Sequence, residues 1–407
     1  EPAPAACPGG HGANMTETAS AYGLRLIGQH DLGGRGDGMQ VMRHGDALYV
    51  GHAGTTGAGT SILDVSAPDR PELVTQWEAP ANTHTHKVQV ADGLLLINHE
   101  RFPYRPKKPL GPHSAGVAIY RLDDPFSPKQ IAFWESGGKG IHRIVWEGGR
   151  YAHMSGTPDG FTDRIWMTID MAEPERPVLA SRWWWPGQWS AGGETADWPD
   201  GHRVAAHHGL SEGDYTYLGY DDANLVVLDT SDPTTPREVS RLRWAGGATH
   251  TCLPLAGRGL LVVTDEQQHD GPHGAERRIH LIDIADPSAP RYLQTFPVPA
   301  GSFDELPQRF GPHNLHENRD GSYRSNRLVF ATYFSAGLRV YDVSDPQHPL
   351  EVAHWVSEPP AGSPVPQAND LFVDEHGLIW VTDRGTGGVF CLEPLPELAD
   401  LMTAAAG

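Results

Sequence analysis

The chain has 407 residues, 47 of them glycine and 35 proline, and no long amphipathic run, so short strands and turns are expected and a helical bundle is not. Its 51 acidic side chains against 31 basic ones give a formal charge of −20, which argues against nucleic acid or an anionic membrane as partner. Cys7, Cys252 and Cys391 are odd in number and far apart, which argues against a disulfide framework; no run of about 18 apolar residues spans a membrane.

In chain order, residues 1–21 are expected to be a disordered tail. The tail starts without Met, so a periplasmic or secreted location stays open beside the cytoplasmic one expected. Residues 23–32 ("GLRLIGQHDL") follow as a lone strand. The rest divides into repeats near 37–80, 81–138, 139–189, 205–245, 247–299, 310–358 and 368–394, and 397–407 is expected to be a tail. Six repeats carry one phrase: "SILDVSAPDRPELV", "AIYRLDDPFSPKQI", "MTIDMAEPERPVLA", "LVVLDTSDPTTPREV", "IHLIDIADPSAPRYL" and "LRVYDVSDPQHPLEV". Each is an alternating strand, an Asp-x-x-x-Pro-x-x-Pro turn and a second strand. Proline fixes φ in the turn, and Asp accepts from the turn's own amides. An earlier hairpin with a Gly-rich turn completes a four-stranded unit, the arithmetic of a propeller blade.

The last repeat has three strands and lacks a fourth, which the strand at 23–32 can supply. The expected fold is therefore all-β: a single seven-bladed β-propeller over residues 22–396, its N-terminal strand closing the last blade and leaving no free sheet edge. The "LxVxDvsdPxxP" phrase resembles the LVIVD-repeat family of β-propellers over about residues 23–394. That resemblance implies the fold and very little chemistry.

In a blade, the start of the first strand and the end of the second meet on one face. Five consecutive blades put a histidine at that start: His86, His142, His208, His250 and His313. Alternation favours His208 over His207, and a bulge would reverse the choice. Met39 takes the slot in the first blade and Asp370 in the last. Imidazoles crowded on one axis desolvate and repel when charged, and a transition metal relieves both problems. The five are read as metal ligands, with iron ahead of copper, manganese or zinc. Glu100, Tyr220, Glu266 and Asp383 are read as acid–base candidates, and His99, His153, Asp265 and Asp370 as pocket residues.

Long loops at 101–115, 185–204, 266–276 and 299–311 share this face, and aromatic residues in and beside them (Tyr104, Trp184, Trp185, Trp189, Trp198, Phe303, Phe310) suit an aromatic or apolar small-molecule substrate. The histidine ring resembles, in geometry alone, carotenoid-cleavage oxygenases and selenium-binding proteins with methanethiol oxidase activity. The leading expectation is a metal-dependent enzyme with oxidative chemistry. Alternatives are a Lewis-acid lyase, isomerase or hydrolase at the same site, and a binding scaffold whose histidines merely bond neighbouring backbone.

Overall fold

The computed structural model describes residues 19–103, 111–270 and 277–407. Antiparallel ladders follow one another along the chain and curl into a propeller. Their first strands are Gly38–His44, Val88–Ala91, Gly140–Val145, Gly209–Glu212, Thr249–Leu255 and Ala368–Val373. Between the last two, residues 313–316 hold the same place without forming a regular strand. The His313 N–H donates to Thr332 O (2.9 Å) and the His316 N–H to Phe330 O (3.0 Å). The second and third ladders are joined by the Gly140–Glu100 pair.

Inner strands such as Ala47–His52 and Leu225–Asp229 are buried nearly throughout, because a neighbouring ladder covers each face. Outer strands such as Glu72–Glu78 are mostly half-exposed, with one face in solvent. The turn chemistry is as expected: Asp64, Asp170, Asp229, Asp283 and Asp342 each accept the N–H two residues on, at 2.7–3.0 Å. In the second ladder Arg121 holds the Asp position, and Asp124 accepts from the Phe126 N–H instead (2.9 Å).

The closing strand is also in place. Leu24–His30 pairs antiparallel with Gly388–Pro394, from Leu24 opposite Pro394 to His30 opposite Val389. Both termini hold more structure than expected. Ser20–Tyr22 forms an edge strand on Leu350–Val356, so the tail expectation fails there, and its residues 1–18 lie outside the described residues. The expected C-terminal tail is mostly a helix, Pro396–Ala405, with proline in its first turn and Leu398, Met402 and Ala405 buried against the last ladder.

Neighbouring ladders are tied at one recurring place. A side chain on the second strand donates to a backbone carbonyl where the next first strand begins: Asn98 to Ile141 (2.7 Å), Ser155 to His207 (2.6 Å), Thr264 to His313 (2.7 Å), Thr332 to Asn369 (2.9 Å) and Thr382 to Met39 (2.5 Å). At two further junctions glycine lets the backbones meet directly. A Cβ on Gly51 would stand 2.6 Å from His86 O, and one on Gly219 2.9 Å from His250 O.

The end of the channel opposite the histidines is plugged. Arg319, on the connection after residues 313–316, donates to Gln89 Oε1 (2.6 Å), Trp146 O (2.6 Å) and Val90 O (3.3 Å).

These ties predict a stability effect. Thr264→Val keeps the shape but leaves the buried His313 carbonyl without its donor, and is expected to cost about 1–2 kcal/mol in urea unfolding. Thr264→Ser, which keeps the hydroxyl, is expected to stay near wild type.

Candidate metal centre

The site begins with a backbone irregularity. First strands carry an extra residue at their histidine end, with register slips between Gly38 and Val41, Ile141 and Arg143, Thr249 and Cys252, and Ala368 and Asp370. In the fourth ladder the His207 N–H donates to Gly219 O (2.8 Å), while the Gly219 N–H donates to His208 O (2.9 Å). Thr332 faces His313 and Asn314 in the same way. Two consecutive residues opposing one partner is a β-bulge, which re-aims side chains. Repeated around the channel, it builds two stacked tiers. Met39, His86, His142, His207, His250 and His313 line a mouth cavity of about 250 Å³. The residues that follow them, Gln40, Lys87, Arg143, His208, Thr251 and Asn314, are buried, as is Asp370. Contacts across the channel tie this lower tier together: Arg143 donates to Asn314 (2.7 Å) and to Glu317 (2.9 Å), and Lys87 Nζ lies 3.6 Å from Asp370.

The bulge decides between His207 and His208 against the expectation. His207 stands at the mouth. His208 belongs to the lower tier, with Nε2 3.4 Å from Glu317 and Nδ1 3.3 Å from Thr251 Oγ1. The same one-residue slip puts Asp370 below the mouth beside Lys87 and gives its slot to Asn369.

Imidazoles from five ladders converge. Ring centroids are 5.0 Å apart for His86–His142, 4.8 Å for His142–His207, 3.9 Å for His207–His250 and 4.3 Å for His250–His313. His84, which the sequence reading passed over although "THTHK" shows it two residues before His86, stacks on His86 at 3.8 Å. His142 Nε2 and His207 Nε2 are 3.2 Å apart. Two nitrogens held about 2.0–2.1 Å from one ion stand about 2.8–3.4 Å apart at right-angle to tetrahedral spacing. His207 Nδ1 is buried without a hydrogen-bond partner.

Several Nδ1 atoms are committed elsewhere. His84 Nδ1 pairs with Ala53 O (2.6 Å), His142 Nδ1 with Glu100 Oε2 (2.9 Å) and His313 Nδ1 with Asn369 O (2.6 Å). These are acceptors, so each Nδ1 carries the proton and each Nε2 keeps its lone pair. Burial first, and nearby positive charges second, hold His86, His142, His207, His250 and His313 well below the ordinary histidine range. Neutral, crowded nitrogen donors fit a transition-metal ion. Two carboxylates flank them: Glu100, pushed up by burial, and Glu266, which accepts from Arg309 (2.9 Å) and lies 3.7 Å from His313 Nε2. His84, His86 and Glu100 form one compact donor set, and His207, His250 and Glu266 another.

Other expected site residues lie elsewhere. Tyr220 is buried between Trp183 and Trp185, donates to Gln188 and accepts the Trp185 N–H (3.1 Å), so it braces a loop and has no path to the mouth. Asp383 accepts N–H groups of Gln367 (2.6 Å), Gly385 (2.8 Å) and Gly387 (3.2 Å) and organises a turn. His99 pairs with Ser114 and His153 with Thr168. Asp265 is enclosed by Thr249, Trp244 and His280. None of these side chains lines the mouth.

Among the aromatic residues expected to wall the pocket, Phe303 and Phe310 stack on each other over the core, and Trp184 packs against Trp189. Tyr104 lies outside the described residues. The mouth is lined instead by Lys87, Arg164, Arg203, Arg309 and Arg384, which carried no periodic signal in the sequence.

The LVIVD repeat family model matches residues 211–243. No curated protein matches the chain by sequence. Among solved structures, that of Raptor from Chaetomium thermophilum is similar at TM-score 0.57 and 12% identity, over 92% of this chain and 30% of that one. The chain thus spans less than a third of that protein, and the likeness concerns fold alone. The computationally designed Ika8 protein aligns at TM-score 0.48 and 10% identity, over 90% of this chain and 98% of that one.

A pH dependence follows from histidines away from the mouth. Burial lowers His153 and His316 to about 4. Both are neutral in the fold, while in the unfolded chain they protonate below about pH 6.5. The unfolded chain then binds more protons, so stability is complete above that pH and is lost as pH falls toward 4. In urea unfolding across this window, His153→Phe is expected to flatten the dependence by up to about 1.4 kcal/mol per pH unit.

Proposed function

We propose that this chain, whose residues 211–243 match the LVIVD repeat, is a metal-dependent enzyme that acts on a small organic substrate. Its metal is a transition-metal ion held at the channel mouth, with seven as the blade count. The observation that carries this reading is the convergence of buried, neutral imidazoles from five ladders, with the 3.2 Å separation of His142 and His207 Nε2 at its centre. His142, His207, His250 and His313 form the ligand set we propose, with Glu266 beside them. A nitrogen-rich set favours iron, then copper or manganese, with zinc suited to fewer ligands; calcium and magnesium prefer oxygen. When bound, such an ion supplies redox or Lewis-acid chemistry.

The chain's own groups do the rest. Glu100 accepts the His142 Nδ1–H and so fixes that ring's orientation. Glu266, held by Arg309, is the carboxylate nearest the nitrogens of His250 and His313 and is the proposed proton acceptor. The plugged channel and a mouth of about 250 Å³ suit a small molecule and leave no room for a polymer chain.

Oxidative chemistry is the first choice. The second is a lyase, isomerase or hydrolase, favoured by the carboxylates within reach of the same nitrogens. No helix among the described residues is long and apolar enough to cross a membrane, and a cytoplasmic location is the compartment we propose.

Elemental analysis of protein purified without a histidine tag is expected to find about one transition-metal ion per chain. The His142→Ala and His250→Ala variants are expected to lose most of it while keeping the β-sheet circular-dichroism signal. Turnover that persists unchanged without oxygen selects the second reading. Metal-free wild-type protein would falsify both.

A further inference from the structure

His86 differs from the other mouth histidines in what holds its Nδ1. The Asn98 side chain has a fixed orientation. Its Oδ1 accepts the Lys87 N–H (2.7 Å), and its Nδ2 donates to Ile141 O (2.7 Å). The Asn98 Nδ2 atom also stands 3.2 Å from His86 Nδ1, so an amide hydrogen is presented to that ring nitrogen. His86 Nδ1 is therefore an acceptor, and in the neutral ring the proton sits on Nε2. A nitrogen that carries a proton has no lone pair for an ion. His84 and His142 show the opposite arrangement, each with Nδ1 against an oxygen acceptor; His313 Nδ1 meets both Asn369 O (2.6 Å) and the Asn314 amide nitrogen (3.0 Å), and the shorter contact is the oxygen.

The surroundings say what that N–H faces. The cavity lining contains five cationic side chains, Lys87, Arg164, Arg203, Arg309 and Arg384, against two carboxylates, Glu100 and Glu266. Carboxylates outside the lining engage several of those cations, among them Asp270, 3.7 Å from Arg309. Asp221 accepts from Arg164 (2.8 Å), Asp163 accepts from Arg203 (2.8 Å), and Asp370 sits beside Lys87. The lining itself still carries five cations against two carboxylates, and a bound divalent cation adds to that positive excess within a chain of net charge −20. An anion offsets that excess.

We infer that His86 is a substrate-facing hydrogen-bond donor and no metal ligand, and that the substrate is a small organic acid whose carboxylate accepts the His86 Nε2–H beside the ion. His86 thus acts as a positioning residue that selects an oxygen acceptor, with Asn98 setting its tautomer. This inference rests on the metal reading above.

The test uses the full-length protein loaded with Co(II), whose visible bands report ligand exchange, and benzoate and benzamide as probes. In wild type, benzoate is expected to perturb the bands at least tenfold more tightly than benzamide. His86→Ala is expected to keep its cobalt and bind benzoate at least tenfold more weakly, and His86→Gln, which retains an N–H donor, to recover most of that loss. Loss of cobalt in both His86 variants makes His86 a ligand and overturns the inference. So does equal binding of benzoate and benzamide by wild type. Wild-type protein that takes up no cobalt removes the metal reading, and the inference falls with it.

Discussion

A tie between neighbouring ladders governs the geometry of the mouth. The second strand of one ladder donates to, or packs directly against, a carbonyl at the start of the next ladder's first strand. With that carbonyl captured sideways, the backbone cannot continue a flat pleat at this point. It takes up an extra residue, and the bulge turns two consecutive side chains toward the channel where a regular strand would turn one. The mouth histidines and the polar tier beneath them are both products of this constraint. Gly51 and Gly219 obey it by different means, since they remove the Cβ that would stand between the backbones.

Burial then sets the chemistry. Withdrawn from water, the five imidazoles stay neutral, and contacts of Nδ1 with Ala53, Glu100 and Asn369 steer lone pairs of three rings toward the cavity. Packing neutral donors this closely gains nothing for the fold by itself, which is why an ion fits. Below them Lys87, Asp370, Arg143 and Glu317 neutralise one another in the channel, where burial lowers the Lys87 pKa and raises that of Asp370. At the far end Arg319 bonds across the channel to Gln89 and Trp146.

Particular residues mark how far the sequence could be followed. The repeated Asp-Pro turns, the three-stranded last repeat and the spare strand at the N-terminus made the propeller and its closure legible. His86, His142, His250 and His313 were legible because each opens a repeat. His208 and Asp370 were each one position out, because alternation along a strand assumes a regular pleat and a bulge resets it. Tyr220 and Asp383 were misplaced for a related reason: position along a strand does not say whether a side chain faces the channel or the gap between ladders. The helix Pro396–Ala405 was missed because its three buried positions in ten residues stand out only against the surface that buries them.

Composition and repetition alone settled the fold class, the turn chemistry and the idea that histidines gather at one end, since these depend on local spacing and on what short strands must bury. Which histidine of a pair reaches the mouth, which ring nitrogen carries the proton, and which arginines surround it were decided only by the tertiary structure. Those outcomes depend on hydrogen bonds between ladders far apart in the chain, and no local pattern encodes them.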